Sequence, residues 1–371
     1  MAQATPSPSA APRQALILDG NNPIERAVLH NLREQTPAMQ VLDLYADQLR
    51  DLIKLKNPQE RLTAEELNTR VQTQLQQTDT EKQGCWIYYP WKQTLVHCLS
   101  KHDFIEVRTV RNRYKITTEE QDQLAACKVG IVGLSVGQSV ALTLAMERIA
   151  GSMRLADFDT LELSNLNRIR AGIHNLGELK TTVVGREIAE IDPFIQISCY
   201  DKGLTADNIQ EFITGLDVVI DECDDLRTKI LLRMACRELR IPVVMDTSDL
   251  LMIDVERFDL EPERPIFHGL VAEDILHEED TPQWRASLFQ AIVEPQKASL
   301  RALNSLGEIG KSITTWPQLA SDVAMGGALT AKIVKEILLG APIPSGRMRL
   351  DIVSHFASNA EFRQITSLRN V

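Results

Sequence analysis

The stretch Val129-Gly130-Ile131-Val132-Gly133-Leu134-Ser135-Val136-Gly137, followed by Met153-Arg154-Leu155-Ala156-Asp157-Phe158-Asp159, decides the fold. An apolar strand runs into a turn of small residues. Val140, Leu142, Leu144 and Ile149 then mark a helix, and a second strand ends in acids. This is a strand-helix-strand unit whose turn lets backbone N–H groups approach a phosphate at a helix N-terminus. The full G-x-G-x-x-G spacing is absent, because Ser135 stands where the middle glycine belongs in a loop one residue short. Gly133, Ser135 and Gly137 are therefore candidate phosphate contacts in a turn that also reads as a plain strand-to-helix connection. Asp157 follows Gly137 by about twenty residues, the place of a carboxylate that accepts ribose hydroxyls. NAD and ATP both carry that ribose, so Asp157 marks a nucleotide without choosing it, and it also reads as a loop-capping carboxylate. Asp159 reads as a loop or capping residue.

The polar string Ser164-Asn165-Leu166-Asn167-Arg168 leaves the carboxyl edge of the sheet, where ligands of open α/β folds sit. Lys180 opens the next helix after a glycine-containing loop and can turn its ammonium toward the same crevice. Two cations and an amide at a phosphate site suit attack on an α-phosphate, since they neutralise charge building on the phosphorus oxygens. Hydride transfer has no such need. After the strand Asp217–Ile220 comes Asp221-Glu222-Cys223-Asp224-Asp225. Strand-end carboxylates facing a triphosphate are natural ligands of hydrated Mg²⁺, and Asp224 is the expected one. The competing reading has Asp224 or Asp225 capping the helix Leu226–Leu239.

These residues resemble the ubiquitin-activating-type superfamily of ThiF- and MoeB-like adenylyltransferases over roughly residues 108–355. The resemblance rests on Asp157-Phe158-Asp159, Ser164 to Arg168, Gly177 with Lys180, and Asp221 to Asp225. It implies a doubly wound, Rossmann-like, mostly parallel α/β sheet that binds ATP. It assigns ribose to Asp157, phosphates to Asn165, Arg168 and Lys180, and Mg²⁺ to Asp224. It also implies a homodimer in which an arginine from Arg111-Asn112-Arg113-Tyr114-Lys115 reaches the partner's site, with Arg113 as the candidate. The implied reaction is adenylation of a carboxylate with release of pyrophosphate. The carboxylate is the C-terminus of a ubiquitin-like protein or peptide, or a small acid.

Departures from the resembled pattern narrow the expectation. Cys85, Cys98, Cys127, Cys199, Cys223 and Cys236 lack the paired Cys-x-x-Cys spacing of a structural zinc, so none is expected. Cys236 lies in an apolar helix and reads as buried. Carboxylates beside Cys223 blunt it as a nucleophile, so no thioester step is expected. Two alternatives stand beside adenylation. One is a nucleotide-binding scaffold without turnover; the other is an NAD-dependent oxidoreductase, against which stands the lack of a hydride-relay His or Tyr near the site.

The net charge of −11 argues against a general nucleic-acid or anionic-membrane surface. No apolar run has spanning length, Met1–Gln14 carries no signal-peptide core, and unpatterned cysteines fit a reducing interior, so a cytoplasmic protein is expected. Residues 1–14 read as a disordered tail. Residues 15–104 read as a smaller N-terminal α/β and helical region, and 105–371 as the nucleotide-binding domain, interrupted at 259–315 by charged and proline-rich stretches that the resemblance implies are a crossover-like, mobile insertion. Within the N-terminal region, Thr63-x-x-Glu66 signals a capped helix with Leu67, Val71 and Leu75 on one face. The aromatic run Cys85-Trp86-Ile87-Tyr88-Tyr89-Pro90-Trp91 reads as a strand docked on the main sheet, or as a partner anchor. His97 and His102 read as structural. A final strand is expected at Arg349–Val353. Relatives with this arrangement can continue into a nitroreductase-like domain, which this chain is not expected to include.

Overall fold

The computed structural model describes residues 13–77 and 79–357; most of the expected tail, 1–12, lies outside the described residues. The chain divides into two compact units. One holds Met1–Ala125 with Ala145–Gly151 and Gly185–Ile197; the other holds Ala126–Leu144, Ser152–Val184 and Ser198–Val371.

The first unit is built on a four-stranded sheet of β1 (Leu16–Leu18), β2 (Gln40–Asp43), β3 (Cys85–Tyr89) and β4 (Thr94–Cys98), in the order β1-β3-β4-β2. The aromatic run is thus an interior strand of this smaller sheet, paired on both edges. Alternation along the strand turns Trp86 inward, where it stacks on buried His97 with ring centroids 4.1 Å apart. Asp43 and the Gln83 carbonyl hold the two ring nitrogens, which makes His97 structural as expected. Thr63 and Glu66 form the anticipated capping box at the start of the helix Ala64–Leu75, whose Leu67 and Val71 are buried.

The second unit carries the larger sheet, comprising β5 (Lys128–Val132), β6 (Ser152–Ala156), β7 (Gln196–Tyr200), β8 (Val218–Asp221), β9 (Val243–Thr247), β10 (Met252–Glu256) and β11 (Gly346–Met348). Their order is β11-β10-β9-β8-β5-β6-β7. The chain winds outward from β5 to β7, returns to β8 and winds outward the other way, which is the doubly wound topology. Pairs β5–β6, β5–β8 and β8–β9 are parallel, while β10 runs antiparallel to β9 and to β11. The direction of winding reverses between β5 and β8, so the ligand crevice of such a sheet opens beyond the carboxyl ends of those two strands. Val129, Ile131, Val218, Val219 and Ile220 are sealed from solvent, as strands covered on both faces must be.

Two elements differ from expectation. The sheet ends at Met348, and Ile352–Ala357 is helical because the Asp351 carboxylate accepts the Ser354 N–H (3.0 Å) and begins a turn. Strand β10 has no signal in the sequence, since Met-Ile-Asp-Val-Glu places two acids in a fully buried strand. The acids are paired from afar: Asp254 with Arg347 (2.5 Å) and His268 (2.8 Å), Glu256 with Arg233 (2.5 Å). No described helix is long and apolar enough to cross a membrane.

Candidate active site

The glycine turn folds as it does because Gly133 takes φ +84° and a Cβ there would lie 2.4 Å from the Glu222 carbonyl oxygen. Only glycine lets the turn lie this close to the end of β8. Gly137 begins the helix Gly137–Glu147, and a Cβ on it would press to 2.9 Å from Ile131. Its role is helix-on-strand packing.

The buried Asp157 carboxylate ties this turn to the end of β6. One oxygen accepts the Leu134 N–H (2.7 Å) and the other the Asp159 N–H (2.8 Å). Asp157 therefore caps the loop, as one of its two sequence readings has it, and each oxygen keeps a further lone pair. Burial raises its pKa, and the nearby Lys180 ammonium chiefly opposes that rise.

Gly133, Ser135, Asp157, Phe158, Glu222, Cys223 and Asp224 line one cleft. Lys180 opens the helix Lys180–Ile191, and its buried ammonium donates to the Ser135 hydroxyl (3.1 Å) and pairs with Asp159 (2.7 Å). The serine that replaces the middle glycine thus binds the lysine, and Asp159 is the lysine's counter-ion. Asn165 lies in the 3₁₀ turn Leu163–Asn167, where its amide oxygen accepts the Glu162 N–H (3.1 Å). Arg168 ends that turn and donates to the Ser164 carbonyl (3.3 Å) and the Asn167 side chain (2.9 Å). Burial lowers the Arg168 pKa and the Asp224 charge opposes it, which places the two side chains in one electrostatic field. The buried Nε of Arg168 has no hydrogen-bond partner. A guanidinium with an unpaired donor in the field of Asp224 fits a nearby anionic ligand such as a phosphate.

The helix cap expected of Asp224 or Asp225 falls to Asp225. Asp225 caps the helix Leu226–Glu238 by accepting the Thr228 N–H (2.7 Å), which leaves Asp224 exposed at the cleft. A one- or two-carboxylate Mg²⁺ site beside phosphates matches that donor set. The Cys223 thiol donates to Asp221 (3.0 Å), and burial followed by the Asp221 charge raises its pKa well above the ordinary thiol value. It is unsuited to act as a thiolate. Cys236 is fully buried. Arg113 belongs to the N-terminal unit, where it pairs with Glu106 at 3.2 Å.

Sequence reading gave no role to Glu222, a further acid of the cleft. Glu222 lies under the turn, and its carboxyl is held well above the usual range by burial and by Asp246. Asp246 itself packs so closely on the helix Ala320–Leu338 that a Cβ at Gly326 would sit 1.8 Å from its Oδ2. Gly203 and Gln318 also line the cleft. Gly203, with φ +65°, was detectable as a lone glycine just after a strand.

The sequence pattern of the ThiF family matches residues 109–348, which contain every one of these cleft residues. This chain belongs to the ThiF family. An uncharacterized protein of Mycobacterium tuberculosis (strain CDC 1551 / Oshkosh) is 40% identical over 343 residues, covering 91% of this chain and 45% of that protein. The molybdopterin-synthase adenylyltransferase of Haemophilus influenzae is 29% identical over 156 residues, 40% of this chain and 62% of that one. This ThiF-family chain therefore spans less than half of the mycobacterial relative's length and under two thirds of the Haemophilus enzyme's. Among solved structures, the Escherichia coli tRNA N6-threonylcarbamoyladenosine dehydratase aligns with TM-score 0.47 and 22% identity, over 64% of this chain and 96% of that one.

Proposed function

We propose that this ThiF-family chain transfers AMP from ATP to a carboxylate, releasing pyrophosphate and leaving an acyl-adenylate. The observation that carries the reading is the Lys180 ammonium bound to Ser135, a lining residue of the cleft that the glycine turn, Asp157 and Asp224 form, with Arg168 in the field of Asp224. The adenylyltransferase names of relatives such as the Haemophilus enzyme support the same class of chemistry.

In this reading Asp157 accepts from the ribose hydroxyls while Ser135 and the turn's N–H groups face the phosphates. The carboxylate oxygen attacks the α-phosphorus and the bond to pyrophosphate breaks. No protein acid or base is required, because a carboxylate is already ionised at neutral pH. Arg168 and Lys180 stabilise the charge that grows on the phosphorus oxygens, an effect that depends on both being held in place beforehand. Asp224 would hold Mg²⁺, which supplies further neutralisation of the phosphates. Cys223 takes no part, so the acyl group leaves as the adenylate. We place Arg113 of a second copy as an additional cation of a homodimeric enzyme.

The test is Mg²⁺-dependent exchange of labelled pyrophosphate into ATP, run against a panel of free peptide C-termini and small carboxylic acids. At least one class is expected to support exchange, and Lys180→Met and Asp224→Ala to abolish it while staying folded. Failure of the wild-type chain to bind Mg·ATP at all defeats the reading.

A further inference from the structure

Gln138 is the first residue after the glycine turn, in the opening turn of the helix Gly137–Glu147, and is 1% exposed. Its side-chain amide makes a two-pronged contact with one distant peptide. The amide oxygen accepts the Arg170 N–H at 2.7 Å, and the NH₂ group donates to the Arg170 carbonyl at 2.8 Å. A neighbouring strand satisfies a residue in this manner, yet Arg170 lies outside any helix or strand. Between Arg170 and Arg168 stands Ile169, buried at 4% exposure. The polar segment is therefore anchored at its start by the Glu162–Asn165 contact and at its end by Gln138. Arg168 lies between the two anchors.

Arginine has a long side chain, and aiming its Nε at a fixed point requires a fixed backbone. The shortened glycine loop places a glutamine here, and that glutamine spans 32 residues to hold the backbone that follows Arg168.

We propose that Gln138 is a positioning residue for phosphate recognition: its amide locks residues 168–170 against the glycine turn, so that the Arg168 guanidinium meets the nucleotide. This rests on the nucleotide-binding reading above. An amide with one acceptor and one donor is needed. A carboxyl group provides both only while protonated, so Gln138→Glu retains the contact in its neutral form and loses the donor when ionised.

The experiment is calorimetric titration of the full-length chain with Mg·ATP, for wild type, Gln138→Ala, Gln138→Glu, Arg168→Ala and the Gln138→Ala/Arg168→Ala pair, with thermal unfolding alongside. Gln138→Ala should weaken binding by about tenfold or more, and the double variant should bind no worse than Arg168→Ala alone, because the two act through one contact. Gln138→Glu should approach wild-type affinity at acidic pH and weaken as pH rises, a dependence the wild type lacks over the same range. Additive losses in the double variant, or a pH-independent Gln138→Glu, overturn the proposal. Should Gln138→Ala fail to fold, the pH profile of Gln138→Glu decides alone. Loss of Mg·ATP binding by the wild type, or no effect of Arg168→Ala, instead overturns the nucleotide reading on which the proposal stands.

Discussion

Replacing Lys180 by methionine keeps the stem and removes the charge, so it isolates what the ammonium does. Two contacts are lost, to Ser135 at 3.1 Å and to Asp159 at 2.7 Å. Asp159 is 52% exposed and can be rehydrated, so that pair is worth at most about 1 kcal/mol. The charge-assisted bond to Ser135 adds about 1.5–3 kcal/mol at the upper end, against which methionine regains apolar burial. The fold should therefore survive with a melting temperature lowered by a few degrees. Loss of one charge-assisted phosphate contact should weaken Mg·ATP binding by about 10- to 100-fold. Turnover in pyrophosphate exchange should fall by about 10² to 10³. A second effect follows from Asp157, whose pKa burial raises and Lys180 chiefly holds down. Without the ammonium that pKa rises further, so the loss of nucleotide affinity on acidification should begin at a higher pH than in the wild type. Calorimetric titrations across a pH series read both effects. Mg·ATP affinity within about threefold of wild type, in a folded variant, would refute the placement of Lys180 at the phosphates.

The neighbouring acids should separate cleanly. Asp224→Ala is expected to abolish the Mg²⁺ dependence of ATP binding with little change in melting temperature, whereas Asp225→Ala should cost about 0.5–2 kcal/mol of stability through its lost cap and leave that dependence intact; the reverse pattern reassigns the ligand. Arg233→Met leaves Asp221 and Glu256 buried without their shared partner and should destabilise the fold by about 3–5 kcal/mol, read by chemical denaturation at pH 7. In the wild type, burial pushes Asp221 up, but Lys229 and then Arg233 outweigh it and hold the carboxyl at about 2, below its ordinary 3.8. Its stabilisation is thus present above the ordinary value and lost as pH falls toward 2, and Arg233→Met should shift that acid limb to higher pH. Cys223→Ser should keep exchange within about twofold of wild type, because the hydroxyl can still donate to Asp221; abolished exchange in a folded variant would restore a covalent role to the thiol.

Chemistry-bearing residues at strand ends were legible in the sequence because strand ends are locally defined. An apolar run followed by small or acidic residues marks where a parallel strand leaves the sheet, and the crevice lies there in any doubly wound fold. Asp157, Lys180 and Asp224 were found by that logic, and the structure brings them to one cleft or its edge. The partners of these residues were not legible. Asp159 read as a capping residue but neutralises Lys180, and Ser135 read as a weakened phosphate contact but orients the same ammonium. Strand β10 escaped notice because its two acids look solvent-facing until Arg233, His268 and Arg347 are known to surround them.

From its sequence alone this chain is determined to alternate strands and helices, to turn tightly at Gly133 and to carry cations and acids beyond its strand ends, since periodicity and turn chemistry are properties of neighbouring residues. Only the tertiary structure decided which charges are buried and which side chains hold others in place. Gln138 meets Arg170 across 32 residues, and Arg347 meets Asp254 across 93. Burying a polar or charged group is tolerable only when its complement arrives from elsewhere in the chain, and that arrival is fixed by how the sheet closes.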